Sequence, residues 1–242
     1  MKSRRLTETD IANLAFKPAE MKRRQLNSLE RPKKIVGSYE PFRAHNGDAV
    51  NQQFPLLVEA QPETPLAMLE AVVSRACKGD TDLLAMNLPI ACATHEYANL
   101  FGIQARREDV RRLTLPFGHL YEFGMPLLMA YPDDRIVAVF PDLRRTQPLG
   151  PVGRRVVFSM MHQRWRENYP DFTSLELEIW RYENNAKRTI RALNCAEQDL
   201  IPYDALIADV RQTYDIWHEV IATAASERRN GSYDIGPLFG LA

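Results

Sequence analysis

"MAYPDDRIVAVFPDLRR", residues 129–145, decides the fold. Two apolar runs flank Pro132-Asp133-Asp134-Arg135, and turn residues between strand-forming segments predict a β-hairpin. Upstream, "HLYEF" and "PLLMAY" after Pro116 read as further strands. Downstream, Val157, Met161 and Trp165 recur at intervals of four with Phe158 beside them, which predicts an amphipathic helix over 154–168 that "NYPD" ends.

Next, Leu175, Leu177 and Ile179 alternate with Glu176, Glu178 and Trp180, the pattern of a half-buried strand whose two glutamates face solvent. "ENNA" turns it into a partner strand from Lys187 to Leu193. Leu206, Val210, Tyr214, Trp217 and Ile221 then form one apolar stripe of a long helix from Tyr203 to about Arg228. The order is strand pair, helix, strand pair, helix. It predicts an α+β fold in which helices cover one face of a mainly antiparallel sheet.

The first 114 residues read as mainly helical. Thr7 with Asp10 fits a capping box, and a helix follows Pro18 over Ala19–Leu29. Residues 36–63, punctuated by Gly37, Pro41, Gly47, Pro55 and Pro62, read as loop. Thr64-Pro65 opens a helix that ends before Gly79, and Asp80 or Thr81 opens another that is interrupted near Pro89 and stops at Gly102. The expected organisation is a basic helical arm (1–35), a mainly helical region (36–114), an α+β region (115–228) and a mobile tail (229–242), with 36–228 able to form one domain.

The chain has 242 residues and no apolar run long enough to span a membrane, and its start lacks a secretory signal, so a cytoplasmic protein is expected. Cys77, Cys92 and Cys195 form no Cys-x-x-Cys pair and read as reduced structural thiols.

Net charge is zero, but residues 1–35 hold ten Lys or Arg against four Asp or Glu. "LRRTQPLGPVGRRVVF" adds Arg144, Arg145, Arg154 and Arg155 around Gly153 with no acidic residue between them. A glycine-containing loop entering a helix suits phosphate, because uncapped amides and the helix dipole meet there. The expected function is therefore non-enzymatic association with duplex or structured nucleic acid or another polyanion. Lys22, Arg23 and Arg24 of the arm would join Arg144, Arg145, Gly153, Arg154 and Arg155. No cofactor is expected.

Two alternatives come from other classes. The hairpin, helix and strand follow the core order of restriction-endonuclease-like folds, where Asp133, Asp134 or Asp142 would bind Mg²⁺ for a nuclease or its degenerate descendant. Against it, Arg144 stands where that chemistry wants a lysine, and Pro141 places Asp142 just past the strand. The other alternative is a protein-interaction module whose partner takes the C-terminal tail through Leu238, Phe239 and Leu241.

Other patterns are weaker. "THEYAN" resembles a zinc helix, but Asn99 replaces the second histidine, so His95 reads as a satisfied or surface histidine and no metal site is expected. "ARREDVRRL", residues 105–113, reads as a self-paired helix face.

Overall fold

The computed structural model describes residues 6–30, 38–53, 62–107, 113–114, 120–121 and 127–231. The chain begins with α1 (Glu8–Leu14), α2 (Ala19–Glu30), α3 (Glu40–Ala44), α4 (Asn46–Ala49), β1 (Gln52–Gln53), α5 (Leu66–Ala76) and α6 (Thr81–Leu100). β2 (Gln104–Arg107), β3 (Leu113–Thr114), β4 (Leu120–Tyr121), β5 (Leu127–Ala130) and β6 (Ile136–Asp142) follow. α7 (Pro151–Trp165), β7 (Glu176–Tyr182), β8 (Ile190–Asn194) and α8 (Tyr203–Gly231) complete it.

The sheet corrects the expected fold. It has six strands in the order β1-β2-β5-β6-β7-β8, and it is mixed rather than mainly antiparallel. β5 and β6 form the predicted hairpin and β7 and β8 the second one, both antiparallel. The junction between the hairpins is parallel: Val137 to Asp142 of β6 lie in register with Glu176 to Arg181 of β7. The reason is the connection, since α7 carries the chain back so that β7 starts level with β6, a geometry that no tight turn provides. β1 and β2, also parallel to each other, extend the sheet from the half expected to be helical. β3 and β4 pair in a separate two-stranded ladder, so Leu120–Tyr121 of "HLYEF" lie outside the main sheet.

Helices cover both faces, not one. Leu128, Ala138, Phe140, Leu177 and Ile179 bury one face beneath α1, α2, α7 and α8. Leu127, Met129, Val137, Val139, Trp180 and Tyr182 bury the other beneath α3, α4, α5 and α6. The unbroken apolar runs of β5 and β6 carry this signal, because a strand buried on both faces has no polar alternation.

Local chemistry sets the helix ends. Thr7 and Asp10 make the capping box of α1 in both directions, as the sequence predicts. Asp80 caps α6 by accepting from the amides of Asp82 and Leu83. Pro89 does not interrupt α6, which runs through it. A proline takes no hydrogen bond to the carbonyl four residues earlier. That carbonyl, on Ala85, instead accepts from the Arg145 guanidinium at 3.4 Å. Gly102, at φ +62°, ends the helix region as expected and approaches Pro132 so closely that an added Cβ would lie 2.8 Å from the ring.

The three cysteines are free thiols, and burial pushes all three upward, Cys195 to about 11. None of the helices among the described residues is long and apolar enough to cross a membrane.

Candidate functional site

Several of the polar side chains that the sequence marks as a polyanion surface are engaged in holding the fold. Lys22 is fully buried, and its ammonium donates to Asp209 Oδ1 at 2.7 Å, Gln212 Oε1 at 2.9 Å, Thr213 Oγ1 at 3.0 Å and the Asp209 carbonyl at 3.2 Å. Arg23 pairs with Glu219 at 2.5 Å, while Arg24 is exposed. α1 and α2 thus form part of the layer that α8 completes, rather than a free basic arm.

In the second basic segment, Arg145 serves the α6 carbonyl freed by Pro89. Arg155 donates to the carbonyl of Asp199 at 3.3 Å. Arg154 is half-buried on α7. Gly153 is buried where α7 meets α1: a Cβ there would stand 3.0 Å from the carbonyl oxygen of Ala12. Its lack of a side chain therefore serves helix packing, not the approach of a phosphate.

The three carboxylates of the nuclease alternative do not converge. Asp133 lies in the hairpin turn on Arg135 at 2.8 Å, and that hydrogen bond holds its carboxyl below the usual range. Asp134 occupies the left-handed region at φ +63° and donates its amide to the carbonyl of Tyr131. Asp142 is the last residue of β6, 2% exposed, and its Oδ2 accepts from the amide of Leu149 at 2.9 Å. Among the described residues no group of three or more His, Cys, Asp and Glu is placed to hold a metal ion.

His95 and Asn99 share one face of α6 and act as a polar clip. His95 Nε2 lies 2.7 Å from the carbonyl oxygen of Thr64, while Asn51 accepts from the Thr64 amide and donates to Asn99 Oδ1 at 2.8 Å. His95 is a satisfied core histidine, one of the two readings that the sequence leaves open. The clip helps to wall a groove of about 590 Å³ lined by Arg43, Asn51, Gln52, Thr64, Met68 and Arg107. The expected solvent side of β7 is half right. Glu176 meets Arg135 at 3.2 Å near the surface, but Glu178 is buried and accepts from Trp180 Nε1 at 2.9 Å and the Tyr131 hydroxyl at 3.2 Å.

A second feature lies at the carboxyl end of β6, around the residue that opens the Arg-rich loop. A cleft of about 220 Å³ is lined by Thr7, Asp10, Tyr39, Arg43, Asp142 and Arg144, among others. Asp142 Oδ1 is buried and accepts no hydrogen bond. Arg144 is half-buried; desolvation lowers its guanidinium's pKa while the charges of Asp142 and Asp10 oppose that. Arg188, fully buried at φ +54°, donates one nitrogen to the Leu143 carbonyl at 2.6 Å and leaves Nε and the other terminal nitrogen without acceptors. Charge counting along the chain had not singled out Arg188, Arg43 or Tyr39. Only the turn before β8 hints at Arg188, and a turn says nothing of a buried guanidinium.

Glu108, Arg111 and Arg112 of the "ARREDVRRL" face, and the tail residues Leu238, Phe239 and Leu241, lie outside the described residues. Residues 105–107 of "ARREDVRRL" lie in β2 (Gln104–Arg107) rather than in a helix.

Comparison with known proteins decides against nucleic acid as the expected partner. The family model described as "Sliding clamp-binding bacterial toxin SocB" matches residues 9–229. The chain is 27% identical over 239 residues to the "DNA replication inhibitor toxin SocB" of Caulobacter vibrioides (strain NA1000 / CB15N), covering 95% of each protein. No solved structure matches it. A protein partner replaces the nucleic-acid reading, and the buried Lys22 agrees with that correction.

Proposed function

Because the chain belongs to the family of SocB sliding clamp-binding bacterial toxins, we propose that it binds a sliding clamp and thereby inhibits DNA replication. The extent of the family match carries this reading. It runs from the start of α1 to near the end of α8, so it spans the folded body and is not a single motif. Such a protein works in the cytoplasm, where replication proceeds, and needs no cofactor of its own to do so. The match stops at residue 229, before Leu238, Phe239 and Leu241.

Interface energy concentrates in a few apolar anchors that the free protein leaves uncovered. Leu100, at the end of α6, is 77% exposed, and its neighbour Phe101 is 45% exposed while packing on Tyr97 at 4.7 Å between ring centroids. This tip is the candidate anchor for the clamp.

The test is surface plasmon resonance of the full chain over an immobilised bacterial sliding clamp, paired with primer extension by a clamp-dependent polymerase. The expected result is saturable binding that changes little between low and moderate salt, with extension inhibited and then restored by excess clamp. Absence of binding overturns the proposal.

A further inference from the structure

We propose that the cleft at the carboxyl end of β6 binds a small zwitterion of the α-amino acid class, its ammonium held by Asp142 and its carboxylate by Arg144 and Arg43. Three independent observations converge there.

The first is an unmet demand. Asp142 is 2% exposed, lines the cleft and keeps Oδ1 without a donor, whereas buried polar atoms are almost always paired. What completes it must donate hydrogen bonds, which a free anion cannot do. The second is charge. The same cleft presents the Arg43 and Arg144 guanidinium groups beside the Asp10 and Asp142 carboxylates, and the buried Arg188 near Asp142 adds a third positive charge. With three guanidinium groups against two carboxylates, the cleft does not favour a simple cation. A ligand with an ammonium at one end and a carboxylate at the other satisfies both sets, and guanidinium forks suit a carboxylate in particular.

The third is place and size. β6 and β7 are parallel and joined through α7, and ligands of such units sit outside the carboxyl ends of the strands. About 220 Å³ is far more than the roughly 30 Å³ that one water occupies, so a single bridging water does not fill it. Thr7 and Tyr39 supply hydroxyls on the rim. The site does not depend on the sliding-clamp reading.

The experiment is isothermal titration of the full chain with the standard L-α-amino acids, with ethanolamine and acetate as single-charge probes. One or more amino acids should bind at a single saturable site, and both single-charge probes at least tenfold more weakly. Asp142→Asn is the discriminating variant. Its amide oxygen can still accept from the Leu149 amide, while its nitrogen puts a donor where the ammonium needs an acceptor. It should lose binding at least tenfold. If it fails to fold, Arg144→Gln and Arg43→Gln on the rim decide in its place, with the same loss expected. Arg155→Gln, away from the cleft, should bind as the parent does. No saturable binding by any amino acid overturns the proposal, and so does binding that survives these variants. Acetate or ethanolamine binding as tightly as the amino acids overturns it too, leaving a plain ion site.

Discussion

Lys22 and Asp209 are 187 positions apart in the chain and 2.7 Å apart in the fold. Counting charge along the sequence placed Lys22 in a solvated basic arm, because a count carries no information on burial. Removing one member of a buried pair strands the other charge, at a cost of about 3–5 kcal/mol. Lys22→Met should therefore lower unfolding free energy by about that much in urea denaturation, and Lys22→Met/Asp209→Leu should recover much of it. Tyr131 gives a pH dependence. Burial first, and then the charge of Glu178, hold its hydroxyl well above the ordinary tyrosine value. The folded state thus keeps the proton more tightly than the unfolded chain. The associated stability is complete below about pH 10 and is lost as pH rises past it. Alkaline denaturation of the parent should be steeper above that point than that of Tyr131→Phe. Asn99 one turn on argued against zinc at His95, but whether that histidine lay in the core or on the surface was not legible in the sequence. Nor was the bond from Asp142 to Leu149, since it depends on how the loop after β6 folds back.

Elements made by neighbours in sequence were readable, and elements made by distant partners were not. The hairpins β5-β6 and β7-β8, the capping box of α1 and the long stripe of α8 rest on local turns and periodicity. β1 is two residues long and β2 four, too short to show a period, and each becomes a strand only by pairing in the sheet. The parallel register of β6 with β7 follows from where α7 returns the chain, which no segment states by itself. The α1–α7 contact offers an element-scale test. Gly153→Ala brings a methyl to 3.0 Å from the Ala12 carbonyl oxygen and 3.3 Å from Leu149 Cδ2, so one helix must shift. Overpacking of this kind costs about 1–3 kcal/mol. A chemical denaturation midpoint lowered to match, with an unchanged slope, is the expected result.

For the whole molecule, composition excluded little, because neutral charge and three isolated thiols suit many soluble proteins. The sequence did admit a protein-interaction role as an alternative, yet it tied that role to the tail rather than to the folded body. If the α6 tip anchors the clamp, Leu100→Glu should weaken clamp binding at least about tenfold while leaving the melting temperature nearly unchanged, since Leu100 is 77% exposed. Truncation after residue 231 should leave clamp affinity within about twofold, as measured by the same resonance assay, because the shared region ends at 229.

The layer that α1 and α2 form with α8 has a consequence for synthesis. Its first members are translated early, whereas Tyr214 and Trp217, which close the same core, come some two hundred residues later. At about 5–20 residues per second, a ribosome needs roughly 10–40 s to cover that interval. Until then, Lys22 has no carboxylate to meet, and the apolar faces of α1 and α2 stay available to chaperones and proteases. A chain assembled in this order is completed only late in its own translation.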